Sequence, residues 1–141
     1  MSAASDVAIA VTFVWSGMIL AISFIEAPLK FRAPDVTVPI GLGIGRLVFR
    51  ALNSVEAVLA VVLVGLALYE SPPQRIAISG AIALGVLAVQ LVVIRPRLTR
   101  RSDLVLAGAD VPRSHVHFGY VGLELVKVCA LLATGTLLLS H

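Results

Sequence analysis

Two glutamates, Glu56 and Glu124, and one lysine, Lys127, stand inside long runs of Ala, Val, Leu and Gly. Ionisable groups in such runs cost about 2.5 to 3.5 kcal/mol each on membrane-insertion scales, and they usually face a partner, water or the interior of a bundle. Amides or hydroxyls would join helices at lower cost, so paired carboxylates point toward a proton relay or a cation site. If Glu56 and Glu124 face each other, repulsion and poor solvation favour a proton shared between them, unless Lys127 neutralises the pair. The i, i+3 spacing of Glu124 and Lys127 also suits a purely structural pair.

Other polar residues fall into register with these three. At about 100° per residue, His117, Tyr120, Glu124 and Lys127 share one face of a helix, with His115 turned to the other side. Arg46, Arg50 and Asn53 share a second face with Glu56 beside it, and Thr12, Ser16, Ser23, Glu26 and Lys30 line a third. Three polar stripes predict a helical bundle with a wet or hydrogen-bonded interior. Depth sorts them further at about 1.5 Å of rise per residue. Glu26, Arg50, Gln90 and His117 should form an outer layer near the basic ends of their helices. Glu56, Glu124 and Lys127 should lie about three turns in, near the midplane.

Each of these residues also has a plainer reading. Arg46 and Arg50 can snorkel to anionic headgroups. His117, near a helix start, can cap the helix or sit at an interface as readily as bind a ligand. Metal chemistry has weak support: His117 and Glu124 are about 10 Å apart along one helix, and no Glu-x-x-His pattern of the di-iron bundles occurs. His117 or His115 could still serve as an axial haem ligand. No cofactor can be named from the residues.

The elements that must position these groups follow from composition. Of 141 residues, 59% are hydrophobic and 13% charged, and the mean hydropathy is +1.02. Globular domains carry about 25% charged residues, so the composition is that of a membrane protein. Four apolar segments, near residues 7–29, 44–69, 76–94 and 114–139, are long enough for a hydrocarbon core of about 30 Å. Lipid offers backbone groups no partners, so each segment must be helical. The expected fold is therefore all-α, an integral membrane four-helix bundle of two consecutive helical hairpins forming a single domain.

The connections are legible as well. "KFRAPDVTVPIGLG" holds two prolines and alternating glycines, which suit a tight loop and close helix approach, and "ESPPQR" reads as a turn. "RPRLTRRSDLVLAGADVPR" reads as a longer basic loop, in which "SDLVLAG" could form a short interfacial helix capped by Ser102. Asp110 and Pro112 then suit the start of the fourth helix. The amino terminus lacks the basic region of a cleavable signal and reads as a first span. Lys and Arg gather in the first and third loops, so the basic loops should be cytoplasmic and both termini non-cytoplasmic in a plasma (inner) membrane.

Several classes are disfavoured. The single cysteine, Cys129, permits no internal disulfide framework and no CxxC redox or zinc motif. The net charge of +3 and pI near 9.6 come from basic residues flanking apolar runs, not interleaved with aromatics, so nucleic acid is not an expected partner. The glycines of "GLGIG" follow no strand and precede no "GK[ST]", hence form no phosphate or dinucleotide loop. A shift of 68 positions superposes Gly17 on Gly85, Pro28 on Pro96, Arg32 on Arg100 and Glu56 on Glu124, a faint internal repeat.

Four stretches together resemble a known family. "WSGMILAISFIEAPLKFRAP", "GLGIGRLVFRALN", "IRPRLTRRSDLVLAG" and "HVHFGYVGLELVKV" are similar to the small four-helix membrane proteins related to transmembrane protein 205. The likeness is carried by Trp15, Gly17, Phe24, Pro28 and Phe31, by the "GRLVF" start of the second span, by Arg95 and Pro96, and by His117. It implies a four-span integral membrane fold over nearly the whole chain, without a settled biochemical activity; a human relative is associated with resistance to platinum drugs. Glu56 and Glu124 match no motif of that family.

The expected function is an intramembrane polar cavity that binds or translocates a proton, cation or small amphiphile. Glu56, Glu124, His117, Glu26, Asn53, Arg50, Lys127 and Tyr120 are its candidate residues. Four spans alone enclose little space, so a homo-oligomer is expected to help build the pathway. Two other classes stay open: a membrane-embedded oxidoreductase or oxygenase using haem or metal, and a structural subunit of a larger membrane complex.

Overall fold

The computed structural model describes the backbone of residues 2–108 and 116–141, and the side chains of residues 2–108 and 119–141. All regular structure among these residues is helical. Four rods account for it: α1 (Ala3–Arg32), α2 (Val38–Glu70), α3 (Gln74–Leu106) and α4 (Val116–Ser140). Each contains a stretch long and apolar enough to cross a membrane.

Local chemistry sets the ends. The Ser2 hydroxyl accepts the Ser5 N–H at 3.1 Å and caps α1, and Thr37 does the same for Ile40 at 3.4 Å on α2. Pro39 lies in the first turn of α2, where its missing N–H leaves no bond unmade. Ser71 ends α2 in the left-handed region, φ 49°, and Pro72 and Pro73 then prevent the helix from continuing.

Two of the rods change pitch on the way. Leu20–Glu26 of α1 and Gln90–Ile94 of α3 are π-helical. Each π segment ends two residues before a proline, Pro28 or Pro96. A helical proline lacks an N–H, and its ring presses on the carbonyl four residues back, here Phe24 or Val92. Both carbonyls lie inside the π segments, whose wider turns relieve the clash without breaking the rod. The 68-residue shift that pairs these prolines also pairs the segment ends, Glu26 with Ile94.

This accommodation overturns one sequence expectation. The third span does not leave its helix at Arg95 and Pro96 for a loop; α3 continues to Leu106, and Ser102 lies within it instead of capping a separate helix. The glycines at 41 to 45 are likewise not loop residues but belong to the first turns of α2. Close approach is their role. A Cβ on Gly41 would overlap the Phe31 ring, and one on Gly45 would stand 2.9 Å from the Lys30 Nζ. The proposed start of the fourth helix at Asp110 and Pro112 lies outside the described residues.

Packing is uneven around the bundle. α4 sits between α1 and α3, and α2 lies on α1, while α2 meets α3 mainly through the last turns of α3. Trp15, Ile19, Ala83, Leu87, Val128 and Leu131 form the apolar core, and a smaller cluster of Ala8, Ile76 and Leu138 closes the end near the chain termini. The outward faces are oily: Val14, Val61, Leu68, Val92 and Leu125 are each more than half exposed. Meanwhile Glu56, Glu124 and Lys127 are wholly buried. Apolar outside and charged inside reverses the usual distribution of a water-soluble protein.

Candidate functional site

The deep layer is a closed ionic cluster drawn from all four helices. The Lys127 Nζ stands 2.5 Å from Glu56 Oε2 and 2.6 Å from Glu124 Oε1. It also donates to Gln90 Oε1 at 2.6 Å. Gln90 returns its amide to Glu124 Oε1 at 2.7 Å, so one side chain on α3 bridges a cation and an anion that both belong to α4. From α1, the Trp15 indole N–H donates to Glu56 Oε2 at 2.8 Å and the Ser23 hydroxyl donates to Glu124 Oε2 at 2.5 Å.

The π segments are what aim two of these groups. Ser23 lies in one and Gln90 in the other, and both end on Glu124. Widened turns shift the angular position of every residue they contain, and such segments recur at functional sites. Thr12 and Ser16, by contrast, donate to the carbonyls of Ala8 and Thr12 on their own helix and take no part in the cluster.

The predicted pairing of Glu56 with Glu124 is present, with Lys127 between them. The depth assigned to Gln90 is corrected. It was placed in the outer layer by counting from Ile94, but α3 runs on to Leu106, which puts Gln90 about four turns from the end. Asn53, a candidate residue, is buried, and its Oδ1 has no partner among the described residues. Glu56 Oε1 is equally unpaired.

Above the cluster, toward the basic ends of the helices, lies a cavity of about 1180 Å³. It follows the seam between α2 and α3. Ser23, Ala57, Leu91 and Glu124 are its deepest lining residues, and Phe31, Leu47 and Leu98 are among its apolar walls. Arg50, Asn53 and Tyr120 face it as the stripes predicted. Glu26 is not among its lining residues and instead pairs with Lys30 at 3.7 Å. His115 and the side chain of His117 lie outside the described residues.

Two members of this region, Arg95 and Arg101, are not among the candidate site residues read from the sequence. The Arg95 guanidinium donates to the Tyr120 hydroxyl at 2.9 Å and stacks on the Tyr120 and Phe49 rings, at 4.8 and 5.1 Å from their centroids. Those rings meet edge to face, with centroids 5.8 Å apart. Arg101 lines the wall with its Nε buried and without a partner among the described residues. Both had been read as loop residues, and only the continuation of α3 brings them inward. Among the described residues no group of three or more His, Cys, Asp or Glu side chains could hold a metal ion.

A second, smaller cavity of about 250 Å³ opens at the other end of the same seam, between Leu66, Pro73 and Leu138. About two helical turns separate the two along α2. Leu59, Ala60 and Leu87 fill that gap together with Trp15, Ile19 and Leu131.

Fold and site together define an all-helical protein of four candidate spans, with a buried ionic layer beneath a basic-ended cavity. Comparison of the chain with protein-family models, with curated proteins and with solved structures yields no match.

Proposed function

We propose that the protein is a multi-pass membrane protein whose cavity binds a small amphiphile. It would sit in the plasma (inner) membrane with its basic loops cytoplasmic and both termini on the far side, as the distribution of Lys and Arg favours. The observation that carries the reading is the cavity itself. Its volume of about 1180 Å³ matches or exceeds the roughly 300 to 1000 Å³ of small-molecule sites. Its lining joins aliphatic and aromatic walls to a few convergent polar groups, which is how a ligand with a polar head and an apolar body is recognised.

Binding is favoured over passage by the apolar plug of Leu59, Ala60 and Leu87 between the two cavities. A homo-oligomer is part of this reading, with the exposed apolar faces that carry Val61, Leu68 and Val92 open to a second copy of the chain. Kinship with the proteins related to transmembrane protein 205 belongs to the same reading and would supply its four-span frame.

A second reading, proton binding, is favoured by the unpaired Glu56 Oε1. Two carboxylates and one ammonium leave the layer one negative charge in excess when all are ionised, and a proton on that oxygen would neutralise it.

Native mass spectrometry of the detergent-purified protein tests the main reading. A bound amphiphile of constant mass is expected on the parent chain. Ala57→Trp and Leu91→Trp, which fill the cavity, should each release it while circular dichroism stays unchanged. Retention of the same ligand by both folded variants would place it elsewhere and defeat the reading.

A further inference from the structure

The cavity wall carries far more positive than negative charge. Lys30, Arg46, Arg50, Arg95 and Arg101 line it, against Glu124 as its one acidic group among the described residues. Three of these six are already matched. Lys30 faces Glu26 at 3.7 Å, Arg46 faces Asp103 at 2.7 Å, and Glu124 is committed to Lys127, Gln90 and Ser23.

Arg50, Arg95 and Arg101 form no ion pair among the described residues. Arg95 is held in place by its two aromatic neighbours and the Tyr120 hydroxyl, yet its Nε is buried and without a partner among the described residues, as is that of Arg101. Asn53, 92% buried by its 8% exposure, faces the same space with its carbonyl oxygen unpaired. Buried donors and acceptors without partners are uncommon in native structures, and a ligand supplies what they lack.

From this we infer that the ligand of the cavity is a single-chain amphiphile with an oxyanionic head, phosphate or carboxylate, received by Arg50, Arg95 and Arg101. The inference rests on the amphiphile reading above and adds the sign and chemistry of the head. Guanidinium groups present planar forks that match carboxylate and phosphate oxygens two at a time. Arg95 is also held by its stacking on two rings, so little of its freedom remains to be lost on binding. Asn53, about a turn below Arg50 on α2, can accept from a hydroxyl on the head or the first segment of the chain. Leu47 and Leu98 offer the alkyl chain an apolar wall. A metal or organic cation would meet the same three arginines as like charges.

Calorimetric titration of delipidated protein in dodecyl maltoside separates the possibilities, using dodecyl phosphate, laurate, monolauroylglycerol, dodecyltrimethylammonium and inorganic phosphate as probes. Dodecyl phosphate or laurate is expected to bind saturably, with the neutral and cationic probes at least tenfold weaker. Arg95→Gln should weaken the anionic probe by about tenfold to a hundredfold, the range of one charge-assisted hydrogen bond. Arg50→Gln, at an exposed position, gives the same test should Arg95→Gln fail to fold. Equal binding of monolauroylglycerol would overturn the anionic head and leave the amphiphile reading intact. Inorganic phosphate binding as tightly as dodecyl phosphate would assign the arginines to a free oxyanion and remove the alkyl chain. Binding of none of the amphiphiles would end both readings.

Discussion

Replacing Lys127 by Met puts the ionic layer to its strictest test. The side chain is fully buried, and its Nζ lies 2.5 to 2.6 Å from Glu56, Glu124 and Gln90. Methionine keeps most of the volume and removes the charge, so two carboxylates face each other without a counter-ion. Breaking a buried pair by deleting one partner costs about 3 to 5 kcal/mol, chiefly through the charge left behind. The single tryptophan of the chain gives a local probe, because the Trp15 indole donates to Glu56 itself. Its emission should therefore follow the layer during denaturation of the detergent-solubilised protein with urea. Lys127→Met is expected to lose about 3 to 5 kcal/mol in that titration. Glu56→Gln, which keeps an acceptor for Trp15 and Lys127 and removes a charge, should lose less. Combined, the two should be at least about 1 kcal/mol more stable than the sum of their separate effects, since contacting charges couple. A Lys127→Met protein within about 0.5 kcal/mol of the parent, the range of an uninvolved surface change, would refute the layer, as would strict additivity.

Two further outcomes are expected. Gln90→Leu strips one partner each from Lys127 and Glu124 and should cost about 1.5 to 3 kcal/mol or more in the same assay, whereas Arg46→Ala, which breaks the exposed pair with Asp103, should cost no more than about 1 kcal/mol. Orientation can be read by cysteine labelling in a Cys129→Ala background. A cysteine at Ser71 should react with an impermeant maleimide from outside intact cells, and one at Arg100 only after lysis; the reverse pattern would invert the topology.

Much of the frame was legible because long apolar helices announce themselves by length and hydropathy: α1, α2 and α3 contain the expected spans 7–29, 44–69 and 76–94, and α4 covers the described part of the fourth. The deep layer was legible through angular arithmetic: Glu124 and Lys127 share a face, and Glu56 lies at a depth that meets them. Most of what escaped came from one misread proline. Pro96 was taken as an exit from the third span, because sequence alone does not show that a π turn can absorb the missing N–H. From that followed the shallow placement of Gln90, the loss of Arg95 and Arg101 from the candidate residues, and a helix cap at Ser102. Trp15 was noted without a partner, since its reach across to Glu56 depends on how α1 and α2 pack. Asn53 was placed on the right face, but the spacing does not show whether its oxygen meets a partner, and among the described residues it meets none.

The contributors to the ionic layer also have an order in time. Membrane proteins are threaded from the amino terminus, so α1 and α2 are made before the helix that carries Lys127. Until then Glu56 has Trp15 as its one companion from that network. On the proposed membrane reading, a newly inserted first hairpin would hold an acidic side chain in oil without its cation, and the last helix would supply the ammonium that completes it. Truncating the chain before α4 should leave more than a missing quarter of the bundle: it should leave a hairpin with a standing reason to be recognised as unfinished.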